Sequence, residues 1–229
     1  MHRAERDRES FISLVAHELR TPTTLIRGYT QLLLSSLETL DATVVRDRLA
    51  IIDRRTEQLS DLISQLLDVN RLESGIFAVE SGPVDYPSLV DLVCTDSSAI
   101  ISGASIIRDR GPAVVVRGDW QRLQQVLTNL IDNAVTHGPQ GRDVAVSYEV
   151  TSGEVITRVH DEGVPIPLKD RERIFDRFHQ GSQEDGRAHR GMGLGLYISR
   201  GIVEAHGGRI WVEDGPRNSF AFSLPRFQE

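Results

Sequence analysis

The chain has 229 residues, with 26 Lys and Arg against 33 Asp and Glu, and a formal net charge of −7. That length suits one large domain or two small ones, and nothing in it requires oligomerisation to bury a core; two domains is the better expectation. A net negative chain offers no basic field for nucleic acid, so no nucleic-acid partner is expected, although Arg171, Arg173 and Arg177 form a local cluster that calls for an explanation. Cys94 is the single cysteine, which excludes an intramolecular disulfide and a cysteine-rich zinc site and suggests a reducing, intracellular compartment. No apolar run approaches the roughly 18 residues of a spanning helix, and Met1-His2-Arg3-Ala4-Glu5-Arg6 is too polar for a secretory signal. A soluble, cytoplasmic chain with no membrane segment of its own is expected; membrane attachment would come through a region outside it.

Residues 10 to 73 contain one glycine, Gly28, and one proline, Pro22, and their apolar positions recur at helical spacing. Ile12, Val15, Leu19, Pro22, Ile26, Tyr29 and Leu33 make one coiled-coil-like seam; Val45, Leu49, Ile52, Thr56, Leu59, Ile63 and Leu66 make another. The polar stretch from Glu38 to Thr43 predicts the turn of an antiparallel hairpin. Two helices cannot cover both stripes, so burial predicts a homodimer closed as a four-helix bundle. Ser74-Gly75 and Ser81-Gly82-Pro83 then punctuate the chain, placing a boundary near residue 76 and domains over 1–75 and 76–229. Beyond it, β-rich runs at Ala113 to Arg117, Val144 to Val150, Val155 to His160, Arg209 to Glu213 and Phe220 to Leu224 alternate with helical patterns at about 86–100, 119–136 and 194–206. The expected fold class is α+β and multidomain, a helical hairpin followed by an α/β sandwich.

On the first helix, placing successive residues about 100° apart puts His17 opposite the Val15 and Leu19 seam, beside Ser13, Arg20 and Thr24. Its imidazole is therefore expected to face solvent, where a second domain can reach it. The run Phe11-Ile12-Ser13-Leu14-Val15-Ala16-His17-Glu18-Leu19-Arg20-Thr21-Pro22 resembles the phosphoacceptor box of sensor histidine kinases, and His17 to Pro22 reproduce all six residues of that family's His-Glu-Leu-Arg-Thr-Pro. The resemblance implies that His17 receives a phosphoryl group. Attack on a γ-phosphate needs a neutral imidazole nitrogen and a carboxylate to take the proton of the other. The resemblance assigns that carboxylate to Glu18, which helix geometry alone would not select, because neighbours in sequence do not face each other. Thr21 lies one turn on; the resemblance implies that it positions water for dephosphorylating a partner regulator, and a hydroxyl bonded to its own helix backbone is the alternative. Pro22 removes an interior hydrogen bond and predicts a kink.

In the second half, Gln125 to Ala134 places Asn129 and Asn133 four apart on one helix face and resembles the N box of the GHKL ATPases, the superfamily of histidine kinases, gyrase-type topoisomerases, Hsp90 chaperones and MutL. That implies Asn133 as a magnesium ligand with Asn129 in support; amide oxygens suit a cation that takes oxygen ligands and shares them with ATP phosphates and water. Asp161-Glu162-Gly163-Val164-Pro165 resembles the first glycine box, implying that Asp161 accepts a hydrogen bond from the adenine amine, with Gly163 beside the nucleotide. Pro165 stands where the family has its second glycine; it has no N–H and a fixed φ. Ile174 to Phe178 resembles the F box at the base of a lid over ATP, although a plain core role suits both phenylalanines equally. In the polar segment Gln180 to Arg190, Arg187, His189 and Arg190 are unranked candidates for the γ-phosphate. Gly191-Met192-Gly193-Leu194-Gly195-Leu196 opens an apolar helix, whose N–H groups and dipole suit phosphate, so Gly191, Gly193 and Gly195 are candidate nucleotide contacts. Leu196 occupies the third-glycine position of a dinucleotide fingerprint, and no Gly-Lys-Ser/Thr P-loop occurs. Met192 replaces the family's usual small hydroxyl residue and Thr136 a common basic one. His206 to Ile210 and Phe220 to Pro225 resemble the closing turn and terminal strand.

Together these resemblances imply a homodimeric kinase that autophosphorylates His17 from magnesium ATP and passes the group to an aspartate on a response regulator receiver domain, with phosphatase activity on that regulator as a further implied property. Pro165, Met192 and Thr136 motivate an alternative, a degenerate kinase acting as a dimerisation and docking module. Another GHKL machine, such as an anti-sigma serine kinase, would not need the acceptor box.

Overall fold

The computed structural model describes residues 2–36, 40–100, 105–109, 111–139, 141–179, 192–215 and 217–227. It divides into two compact units, residues 1–70 and 71–229.

The first unit is a helical hairpin of α1 (His2–Ser36) and α2 (Ala42–Glu73), the last turn of α2 counting with the second unit. Asp41 starts α2: its carboxylate accepts from the Thr43 backbone N at 2.8 Å and from the Thr43 hydroxyl at 2.6 Å, satisfying a donor that the first turn leaves open. These bonds hold the Asp41 carboxyl below its usual range. Pro22 is buried inside α1, which continues as helix on both sides of it. It has no N–H for the carbonyl of Glu18, and on either side the hydroxyls of Thr21 and Thr23 turn back onto the carbonyls of His17 and Leu19. Within the predicted seams Pro22 and Leu33 are buried, and Val15, Leu19, Ile26 and Tyr29 are half-buried. Ile12, Leu49 and Ile63 stay 58%, 52% and 47% exposed.

The second unit has the order β1 (Gly82–Asp85), α3 (Tyr86–Ile100), β2 (Ile106–Arg108), β3 (Val115–Gly118), α4 (Trp120–His137), β4 (Val144–Val150), β5 (Glu154–Asp161), a 3-10 turn at Arg173–Phe175, α5 (Gly195–Ala205), β6 (Arg209–Val212) and β7 (Asn218–Pro225). Five strands form one sheet in the order β2-β4-β5-β7-β6, with β2 parallel to β4 and the other pairs antiparallel. β1 and β3 form a separate antiparallel ribbon. Neither β1 nor β2 is legible as a strand in the sequence. β1 carries Gly82 and Pro83, which signal a turn and are tolerated because the strand has a partner on one side only. β2 has three residues, too few to show alternation.

β5 alternates half-buried and buried residues along its whole length, so one face of the sheet carries the core. Val155, Val159, Phe220, Phe222 and Leu224 on that face meet a helical layer supplied by Leu123, Leu127, Leu130 and Ile131 of α4 and Ile198 and Ile202 of α5, all at most 1% exposed. At its far side the Tyr86 hydroxyl is hydrogen-bonded to Thr157, and the Tyr86 ring stands edge-on to Tyr148 at 5.4 Å between centroids. Burial raises the Tyr86 hydroxyl well above the ordinary tyrosine range, so it stays neutral and available as a hydrogen-bonding group.

Candidate functional site

His17 lies mid-helix on α1 and is exposed, as are Ser13, Arg20, Thr21 and Thr24, whereas Glu18 and Leu19 are half-buried. The Thr21 hydroxyl is 3.4 Å from the carbonyl oxygen of His17, one turn back, which is the backbone-bonded arrangement foreseen as its alternative role. An open concavity of about 410 Å³ beside His17 is lined by Ala16, Leu19, Arg20, Thr23, Thr24 and Arg27, all on α1.

In the second unit α4 and α5 are locked together before either can serve a ligand. Asp119 caps α4, its Oδ1 accepting from the backbone N of Gln121 at 3.1 Å and of Arg122 at 3.2 Å. The Asp119 backbone N donates to His206 Nε2 at 2.9 Å, and His206 Nδ1 lies 2.7 Å from the Ile202 carbonyl at the end of α5. Nε2 must therefore be the acceptor and Nδ1 the protonated donor, which defines one neutral tautomer. Along the same helix pair, Asn129 Nδ2 lies 3.3 Å from both the Gly195 carbonyl and the Ser199 hydroxyl. Asn129 thus ties α4 to the opening turn of α5, a contact that its sequence spacing did not foretell. Asn133, one turn further along α4, is half-buried.

Gly193 has φ +66°, and a Cβ there would lie 2.6 Å from the His179 carbonyl oxygen, so glycine is required. Its carbonyl accepts from Phe178 N at 3.0 Å. Phe178 is itself left-handed, at φ 63°, a conformation costing a bulky residue roughly 1–2 kcal/mol. The F-box end and the glycine box are thus buttressed on each other, with Phe175 buried beneath. Met192 is 2% exposed, so it is packed into the core at that turn. Gly191, Arg187, His189 and Arg190 lie outside the described residues. The arginine cluster is accounted for by partners: Arg171 pairs with Asp214 and donates to the Ile166 carbonyl at 3.1 Å, Arg173 lies 3.7 Å from Asp170, and Arg177 pairs with Glu73.

Asp161 ends β5 and is 3% exposed. Its Oδ1 accepts from Gly163 N at 2.6 Å and its Oδ2 from Asn218 Nδ2 at 3.3 Å, Asn218 being its register partner on β7. Burial raises the carboxyl above its usual range against the pull of both bonds. A Cβ at Gly163 would fall 2.5 Å from Asp161 Oδ1, so this glycine allows the chain to fold back over the acid. Pro165 and Thr136 are both exposed. No cluster of three His, Cys, Asp or Glu suited to a metal occurs among the described residues, and no described helix is long and apolar enough to cross a membrane.

A helical hairpin bearing an exposed histidine, followed by an α/β sheet with paired asparagines, a buried strand-end aspartate and a glycine-opened helix, is the architecture of a phosphoacceptor module joined to a GHKL-type ATPase. Residues 7–75 match the His Kinase A (phospho-acceptor) domain, and residues 118–228 match the histidine kinase-, DNA gyrase B- and HSP90-like ATPase family. The sensor-like histidine kinase SenX3 of Mycolicibacterium smegmatis is 31% identical over 235 residues, covering 99% of this chain and 60% of its own length. Full-length ShkA, solved in complex with AMPPNP, is similar with a TM-score of 0.68 and 29% identity over 96% of this chain and 46% of its own. The histidine kinase ThkA, solved in complex with the response regulator protein TrrA, has a TM-score of 0.63 and 26% identity over 97% of this chain and 64% of its own. The chain belongs to the sensor histidine kinases and comprises their catalytic core, spanning about 60% of the length of the curated relative SenX3.

Proposed function

We propose that the chain autophosphorylates His17 from magnesium ATP and hands the phosphoryl group to an aspartate of a response regulator. The observation that carries this reading is the exposed His17 on α1, within an acceptor module that shares its chain with an ATPase fold. Residues 1–75 act as the dimerising phosphoacceptor domain and 76–229 as the ATP-binding domain. One ring nitrogen of His17 forms the N–P bond as the bond between the γ-phosphorus and the β–γ bridging oxygen breaks, and ADP leaves with that electron pair. Glu18 takes the proton released from the other ring nitrogen. Little covalent work falls to the protein, so positioning and charge carry the rate. Asp161 accepts from the adenine amine, Gly163 leaves room for the base, and the backbone around Gly191, Gly193 and Gly195 receives the phosphates.

Magnesium suits the donor set: the half-buried amide of Asn133 provides a neutral oxygen where no carboxylate cluster is present among the described residues. Asn133 would hold it, with Asn129 supporting through its grip on α5; when bound, the ion neutralises phosphate charge. ThkA, solved with its regulator, supports a receiver domain as partner, and the Arg20- and Arg27-lined concavity beside His17 is a matching cationic surface for its acidic phosphorylation site. Thr21 would position water for the reverse hydrolysis. The exposed seam residues Ile12, Leu49 and Ile63 support a homodimer.

His17→Gln is expected to abolish acid-labile label from γ-labelled ATP while nucleotide affinity persists. Label retained in that variant, or label stable to acid, would overturn the assignment. A magnesium-ATP titration of the unaltered chain separates the kinase from a docking module: affinity absent at millimolar ATP would favour the module.

A further inference from the structure

Ser199 lies one turn into α5, past the glycine box, and is 0% exposed among the buried apolar residues Ile198, Ile202 and Val203. A hydroxyl in such surroundings costs free energy unless it is hydrogen-bonded, and alanine would fill nearly the same space without that cost. Its partner is Asn129 on α4, whose Nδ2 lies 3.3 Å from Ser199 Oγ and 3.3 Å from the Gly195 carbonyl oxygen. Those two contacts dictate how the amide is turned. The Gly195 carbonyl only accepts, so the amide nitrogen must face it; the reverse setting would put oxygen against oxygen. An amide nitrogen carries two N–H donors, and Gly195 and Ser199 take one each.

The other end of the side chain, Oδ1, accepts no hydrogen bond among the described residues and is not one of their buried oxygens without a partner, so it is open to approach from outside the helix pair. Both groups that hold the nitrogen belong to α5, the helix that the glycine box opens. A bond to Gly195 alone would leave the amide free to swing about it; the Ser199 hydroxyl is the second point that fixes its plane. We propose that Ser199 is a positioning residue for the metal-bound nucleotide: its buried hydroxyl and the Gly195 carbonyl together lock the Asn129 amide, so that Oδ1, an oxygen suited to magnesium or its bound water, is presented in one orientation. This rests on the reading of Asn129 as a support for magnesium.

The full 229-residue chain and its variants are titrated with ATP in magnesium and with ATP in excess EDTA. The unaltered chain should bind more tightly with the metal. Ser199→Ala should weaken magnesium ATP about three- to tenfold and leave ATP in EDTA unchanged, so the advantage given by the metal shrinks. Ser199→Thr, which keeps the hydroxyl, should restore it. In an Asn129→Ala background, Ser199→Ala should cause no further loss of that advantage, and this cycle decides the matter if the threonine methyl is not accommodated. A Ser199→Ala chain that weakens both forms of ATP equally, or neither, reduces Ser199 to a packing residue and overturns this inference alone; so does a loss that adds in full to that of Asn129→Ala. An unaltered chain that gains nothing from magnesium overturns the Asn129 reading along with it.

Discussion

Asp161 shows how a single residue can be worse for stability than for function. It is buried at a strand end, and its carboxyl is raised above the ordinary range chiefly by desolvation, despite hydrogen bonds from Gly163 and Asn218 that favour the charge. A carboxyl raised on folding binds its proton more tightly in the native chain than in the unfolded one. Its contribution to stability is therefore fully present below the unfolded value and is lost as pH rises through the folded value. Asp161→Asn removes that titration. Its melting temperature relative to the unaltered chain is expected to climb between about pH 4 and the folded value and then to level off, while affinity for ATP at pH 7 collapses. Melting curves across pH, paired with a nucleotide titration, check both halves; a difference that falls as pH rises from about 4 would contradict the sign. Asp161 was readable from its box, because an acid followed by a glycine two residues on is a local pattern. Asn218 was not, since its meaning depends on a strand pairing 57 residues away.

Among the elements, α4 carries Asn129 and Asn133 and α5 opens at Gly195, and His206 and Asn129 hold the two helices in register. His206 bridges the cap of α4 and the end of α5 through both ring nitrogens. His206→Ala should leave the Asp119 N–H without its acceptor, while the Ile202 carbonyl keeps its bond from the backbone N of residue 206, and cost about 1–3 kcal/mol, read as a lower urea midpoint with an unchanged slope. His206→Gln, which keeps a donor and an acceptor on one side chain, should recover part of the loss. Helix periods made α4 and α5 legible within a residue or two, because their apolar faces are long enough to repeat. β1 and β2 were hidden for the opposite reason: a strand of three or four residues carries no period, and pairing with a neighbour is what makes it a strand.

At the scale of the molecule, the apolar seam of the hairpin is the feature that a single chain does not satisfy. Ile12, Leu49 and Ile63 remain about half exposed, although their spacing places Ile12 on the α1 stripe with buried Pro22 and Leu33, and Leu49 and Ile63 on the stripe of α2. Leu49→Glu with Ile63→Glu should convert a dimer into a monomer at micromolar concentration in light scattering, and the ATP-binding half should retain its nucleotide affinity. An unaltered chain already monomeric under those conditions would overturn the proposed dimer.

The sequence by itself determined the candidate acceptor histidine, the solvent-facing side of its helix, the order of hairpin and ATPase, and the residues at the glycine-rich turns, because each is written in a run of neighbours or in a short helical period. Only the tertiary structure decided which of those residues hold the scaffold. It turned Asn129 toward Gly195 and Ser199, interlocked Phe178 with Gly193, assigned the arginine cluster to ion pairs and set Asn218 against Asp161. Those contacts join residues far apart in the chain, and their partners are chosen by sheet register and helix packing, which no local pattern encodes.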